Sequence, residues 1–261
     1  MRLCFFGSSA FAVPTLRALH AAGHEVCAAF TQPDRPAGRG GHLRGTPVKE
    51  CALELGLPVR QPEKLDAAAQ AEFAAFAPEV AVVVAYGMLI PAPMLRAAPR
   101  GWLNLHPSLL PKYRGAAPVP HCILNGDAET GACIFRLNEQ FDKGDIVAVE
   151  KIAIAPDDTS ETLLDKLSHI GAGLMARTLA QPEWTFLPQS GEAGSYARKF
   201  TKEDGVIDWG QPAAVVDRRV RAYQPWPLAR TRFGSKGRQL TITAVELTGR
   251  PAQGAPGVIA V

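Results

Sequence analysis

The amino-acid sequence predicts an α/β protein: a Rossmann-like, mostly parallel sheet with flanking helices, followed by a smaller C-terminal module. Three observations predict it. Short apolar runs alternate with helix-patterned stretches through the first half of the chain. One of those runs, Val80–Ala85, is apolar at every position, as a strand covered on both faces must be. From about Gln181 to Gly205 the composition turns to Pro, Gly, Ser and charge, which suits a segment wrapping from one module to the next.

Each element follows in order. Leu3–Phe6 reads as the first strand and Val13–Ala22 as the helix that crosses over from it. Glu25–Thr31 is the second strand, Pro47–Leu55 a helix opened by proline, and Leu57–Arg60 a brief third strand. An alanine-rich helix over Asp66–Phe76 leads into Val80–Ala85. Gly101–His106 is the next strand, stopped by Pro107, which cannot continue a ladder. Ile146–Ile154 is strand-like, and Thr159–Leu179 is helical with Ser160 and Glu161 as its capping region. Such alternation places ligands beyond the C-terminal ends of the strands, where Tyr86, Gly87, Asn104 and His106 fall.

Composition narrows the class. At 261 residues, 47% hydrophobic and 20% charged, the chain has an ordinary globular balance and can bury a substantial core. Its apolar runs are too short to cross a bilayer, so no membrane partner is expected. The basic, apolar N-terminus runs straight into a strand–turn–helix pattern and reads as core, not as a leader. Five scattered cysteines with no C-x-x-C spacing point to reduced, buried thiols, a cytoplasmic location and no structural metal. Gly7-Ser-Ser-Ala-Phe11 lacks the G-x-G-x-x-G turn that cradles a pyrophosphate, which argues against a dinucleotide cofactor. From Val206 onward eight Lys/Arg stand against three acidic residues, a charge balance suited to a polyanion or to a solvated surface.

The chemistry centres on three polar side chains. Strand alternation projects Asn104 and His106 from the same face. An amide can hold a developing oxyanion, an imidazole can exchange a proton near neutral pH, and the carboxylate of Asp142 can orient the ring. A buried structural histidine beside a turn-forming asparagine would use the same residues.

The longer string decides between these. Asn104-Leu-His106-Pro-Ser108-Leu109-Leu110-Pro111-Lys-Tyr-Arg-Gly115, with Asp142 downstream, resembles the signature of the 10-formyltetrahydrofolate-dependent formyltransferases. The resemblance implies that Asn104, His106 and Asp142 are the catalytic set, with Asn104 and a protonated His106 stabilising the formyl oxygen. It implies 10-formyltetrahydrofolate as formyl donor, bound by Val84, Ala85, Tyr86, Gly87, Leu89, Ser108, Leu109, Leu110 and Pro111, and no metal.

Two further stretches resemble the branch of that family acting on methionyl-tRNA. Thr31–Gly40 with Pro47–Lys49 looks like its insertion loop, a long segment without secondary structure carrying Arg35, Arg39, Arg44 and Lys49 for tRNA. Ile207–Trp209 with Arg221–Pro227 looks like the opening of its C-terminal OB-like β-barrel, with Trp209 and Trp226 as packing residues. The resemblance therefore implies a catalytic domain over residues 1–188, a linker over 189–205 and a partial barrel, apparently truncated at Val261, over 206–261. The implied reaction is formyl transfer to the α-amine of initiator methionyl-tRNA by a monomer. Two reactions share the same catalytic set: N-formylation of a sugar or other small amine, and hydrolysis of the formylfolate. There are departures from the pattern. Gly41 and His42 stand where the insertion loop usually carries two lysines, and the approach to Asp142 is unusually polar.

Overall fold

The computed structural model describes residues 1–37, 41–189, 194–248 and 255–257. Strand β1 (Arg2–Gly7) places Leu3 and Phe5 in one apolar cluster and Cys4 and Phe6 in another, so neither face is polar. Helix α1 (Val13–Ala21) returns the chain to β2 (Glu25–Phe30). A hairpin of β3 (Arg35–Ala37) and β4 (His42–Arg44) follows, where a structureless loop is expected from the sequence. Helix α2 (Pro47–Glu54) is capped by Thr46, whose Oγ1 accepts from Lys49 N at 3.1 Å, with Pro47 pre-set in its first turn. Then come β5 (Val59–Arg60) and α3 (Ala67–Ala75), capped by the Asp66 carboxylate on two backbone N–H groups. Strand β6 (Val80–Val84), short helix α4 (Ala92–Leu95) and β7 (Trp102–His106) complete the parallel part.

The rest of the catalytic half departs further from the expected elements. After β8 (Arg114–Gly115), helix α5 (Pro118–Asn125) and strand β9 (Glu129–Arg136) are additions to them. Strand β9 runs antiparallel to both β7 and β10 (Ile146–Ala153). The seven-stranded order is β10-β9-β7-β6-β1-β2-β5, parallel from β7 to β5. Helix α6 (Ser160–Ala180) begins at Thr159, which forms a reciprocal capping box with Thr162. The cap is thus one residue earlier than expected. Ser160 instead donates its buried hydroxyl to Ala222 O at 2.7 Å.

Within the segment expected as a linker, β11 (Tyr196–Ala197) pairs with β8. Beyond it lie α7 (Ala213–Ala222) and a two-stranded antiparallel sheet of β12 (Ala229–Phe233) and β13 (Arg238–Ile242). Helix α7 turns Val216 and Val220 into the main core, and Arg218 donates to Leu124 O at the end of α5. Trp209 packs on that core and donates to Thr231 Oγ1 at 2.9 Å, whereas Trp226 is 51% exposed and does not serve as packing. All five cysteines are buried and free, and burial pushes the thiols of Cys122 and Cys133 up to about 11. Among the described residues no helix is long and apolar enough to cross a membrane.

The two faces of the sheet differ in what covers them. One carries α1, α2, α5, α6 and α7 over Leu103, Leu105, Ala132 and Ile134. The opposite face carries an aromatic cluster of Phe6, Phe30, Phe73, Tyr86 and Trp102, flanked by α3 and α4. Alternation along β7 puts Asn104 and His106 on this second face, beside Trp102. There the aromatic cover ends.

Candidate active site

His106 ends β7 opposite Cys133 of β9, and Asn104 stands opposite Phe135. The ring of His106 is 5% exposed, lies edge-on to Phe135, and hydrogen-bonds through Nε2 to Tyr113 O at 2.9 Å. A carbonyl accepts only, so Nε2 carries the proton. In the neutral ring Nδ1 is then a free base. Burial in this apolar setting lowers the imidazole below its ordinary 6.5, opposed by the nearby Asp142 charge and by the Tyr113 bond. Burial therefore favours the neutral ring, and Asp142 favours the cation once a proton arrives.

Asp142 reaches the site from the loop between β9 and β10, in the left-handed region at φ +50. Its Oδ2 accepts from Gly115 N at 2.8 Å. A non-glycine residue in that region costs free energy and persists only where its surroundings impose it. Here Gly144, two residues on, lies so close to β9 that an added Cβ would sit 1.6 Å from Arg136 O. Asp142 thus lies beside His106, and β7 carries Asn104 two residues earlier on the same face as His106.

The loop after β6 supplies the expected folate residues. Ala85 (φ +47) and Gly87 (φ +86) are exposed and left-handed at the strand end. Leu89 is 71% exposed. Val84 and Tyr86 are buried on opposite faces of the sheet, Val84 in the larger core and Tyr86 edge-on to Phe6 in the aromatic cluster. Burial pushes the Tyr86 phenol up to about 12, and its carbonyl is already taken by Ser8 Oγ and Gln32 Nε2. The remaining expected residues are built into the turn after β7. Ser108 is buried and donates to Lys112 O at 2.7 Å, and Leu110 packs on Cys133 and Phe135. Leu109, Leu110 and Pro111 also line a cavity of about 570 Å³ with Thr130 and Val149, which Asn104, His106 and Asp142 do not line.

The expected tRNA residues separate into three groups. Arg35 and Arg44 are exposed and face each other across the β3–β4 hairpin. Lys49 is an internal brace: its Nζ donates to Asp34 Oδ2 at 2.6 Å, and Gln61 donates to the same carboxylate. Arg39 lies outside the described residues. No group of three or more His, Cys, Asp or Glu side chains is gathered as a metal site among the described residues.

Gln189 and Ser195 are at the site without having been singled out by sequence. Gln189 bonds to Arg114 and to the Asp142 loop, and Ser195 Oγ accepts from Tyr113 N at 2.8 Å. Isolated polar residues in a Pro- and Gly-rich stretch carry no periodic signal that could have marked them.

The chain matches the family model described as formyl transferase over residues 1–179 and that of the formyl transferase C-terminal domain over 199–261. A methionyl-tRNA formyltransferase of Acidiphilium cryptum is 47% identical over 99% of this chain and 85% of its own. One from Cereibacter sphaeroides is 48% identical over the same shares. Among solved structures, an N-formyltransferase of Helicobacter canadensis in complex with folinic acid and dTDP-3-aminofucose superposes with a TM-score of 0.66. It is 17% identical over 85% of this chain and 80% of that one.

Proposed function

This chain belongs to the formyl transferase family, and from that premise we propose that it transfers a formyl group from 10-formyltetrahydrofolate to the α-amine of initiator methionyl-tRNA. What supports this reading is an imidazole held through Nε2 at the end of β7, with a carboxylate beside it and an amide on the same face of the strand. The near-half identity to enzymes named for methionyl-tRNA, along the whole chain, favours that acceptor over a sugar amine. In the same reading residues 206–261 open a small OB-like barrel after a linker at 189–205, and the protein acts as a cytoplasmic monomer.

The residues present fit a folate. Exposed backbone at Ala85 and Gly87 suits the donor–acceptor edge of a pterin, and Leu89 offers exposed apolar surface beside it. The donor supplies a formyl carbon open to attack by an amine. Asn104 donates its side-chain N–H to the formyl oxygen as negative charge develops there. His106 accepts at Nδ1 the proton released by the attacking nitrogen, while Nε2 stays on Tyr113 O. Asp142 stabilises the imidazolium so formed, and His106 returns the proton to the departing nitrogen. The residues thus hold charge and move one proton; none forms a covalent bond to the formyl group.

The test is formyl transfer from 10-formyltetrahydrofolate to methionyl-initiator tRNA, to an elongator aminoacyl-tRNA and to an amino sugar. Preference for the initiator is expected. Equal or better use of the amino sugar, or formate release with no acceptor, would sink the assignment.

A further inference from the structure

Gln189 lies in a stretch expected to be a linker, yet its side-chain amide is fully engaged. Oε1 accepts from Arg114 Nε at 3.1 Å and from Nη2 at 2.6 Å. Nε2 donates to Asp142 O and to Gly144 O, each at 2.9 Å. The amide has two donors and two acceptor positions, and all four are used. Its orientation is fixed by chemistry, because turning it over would set N–H against guanidinium and oxygen against two carbonyls.

The partners on the two sides are the loops that build the site. Arg114 stands between Tyr113, whose carbonyl holds His106, and Gly115, whose N–H donates to the Asp142 carboxylate. Asp142 and Gly144 belong to the loop held left-handed and pressed against Arg136 O. Gln189 is anchored in turn, since Leu187 pairs with Ile146 at the start of β10 through bonds of 2.8 and 2.9 Å. A side chain fixed to the sheet edge therefore bridges the imidazole-bearing and carboxylate-bearing loops.

We infer that Gln189 is a positioning residue for Asp142, holding its carboxylate at Gly115 N–H and beside His106 by clamping the loop to Arg114. The catalytic consequence rests on the function proposed above; the clamp itself does not. Glutamate at this position keeps the size and strengthens the bond to Arg114, but sets an oxygen against the carbonyls of Asp142 and Gly144. Gln189→Glu thus opens one side of the clamp alone.

Two measurements on the full chain test this. By amide hydrogen exchange, Gln189→Glu and Gln189→Ala should make Gly115 N–H exchange about tenfold faster, the loss expected for one hydrogen bond. Arg114 and Ala116, whose N–H groups bond Ser195 O and Ala197 O, should keep their protection. In turnover, kcat should fall about tenfold with both KM values within about twofold, and Gln189→Glu should cost nothing further in an Asp142→Asn background. Unchanged protection at Gly115, an unchanged kcat, or a full additional loss in the Asp142→Asn background overturns the proposal. If Gln189→Ala does not fold, Gln189→Glu decides alone. A wild-type protein that transfers no formyl group would end the functional reading, and the exchange measurement would still decide the clamp.

Discussion

A buried imidazole serves this site because its two nitrogens are in different circumstances. Nε2–H of His106 is committed to Tyr113 O, which fixes the tautomer and leaves Nδ1 as the base. Desolvation keeps the ring neutral below its ordinary value, while Asp142 opposes that shift and favours the cation once a proton arrives. The sign for stability follows. With the folded value below 6.5, the unfolded chain binds the proton more readily, so stability is complete above about pH 6.5 and falls as pH drops below it. Urea midpoints from pH 7.5 downward should therefore decline less steeply in His106→Gln than in the wild type, and an identical slope would contradict the buried neutral ring. The acid limb of kcat/KM should likewise lie below the ordinary histidine value. Asn104 is argued from the oxyanion. Asn104→Ala should lower kcat by roughly 10²–10³ with the fold intact. Near-normal turnover in a well-folded Asn104→Ala protein would remove the amide from the mechanism.

The elements explain why some of this was legible in the sequence and some was not. β1 and β6 are apolar on both faces, and that pattern has one structural meaning, a covered parallel strand. Alternation in β7 likewise puts Asn104 and His106 on one face. Strand β9 was hidden: Gly131 interrupts its apolar run, because a Cβ there would meet Glu150 O at 2.3 Å. The β3–β4 hairpin was hidden because Arg35-Pro-Ala37 and His42-Leu-Arg44 are too short and too polar to show a strand's apolar alternation. Asp142 could be paired with His106 only through the family resemblance, since its placement depends on a left-handed backbone and a glutamine far along the chain. Helix α6 shows the same limit at one-residue scale. Thr159 caps it, and Ser160 ties its start to the end of α7. Thr159→Ala should cost about 1 kcal/mol of unfolding free energy in urea, the worth of one N-cap. Ser160→Ala should cost about 1–3 kcal/mol, because it leaves the buried Ala222 carbonyl without that donor. A Ser160→Ala protein as stable as the wild type would show that this hydroxyl adds nothing to the α6–α7 junction.

At the scale of the whole molecule the question is which positive charges remain free to meet a polyanion. Three of the eight C-terminal basic side chains are already hydrogen-bonded within the protein. Arg218 donates to Leu124 O, Arg221 to Asp217 and Asp158 O, and Arg230 to Lys202 O. Arg232, Lys236 and Arg238 stay exposed on the β12–β13 hairpin. At the other end of the chain Lys49 is bound to Asp34, but Arg35 and Arg44 are exposed and directly opposed on β3–β4. Like charges across a ladder destabilise a hairpin. An approaching phosphate relieves that repulsion, so the pair suits contact with tRNA better than it suits the free protein. Each phosphate neutralised releases counterions and adds about 0.7–0.9 to the slope of log affinity against log salt. Replacing both arginines by alanine should therefore raise the KM for methionyl-tRNA severalfold at low salt and flatten the salt slope by about 1–2, with the KM for 10-formyltetrahydrofolate unmoved. The hairpin itself should gain stability from losing the repulsion. A salt slope equal to the wild type's, measured from 50 to 200 mM, would assign tRNA contact elsewhere, with the β12–β13 arginines the next to replace.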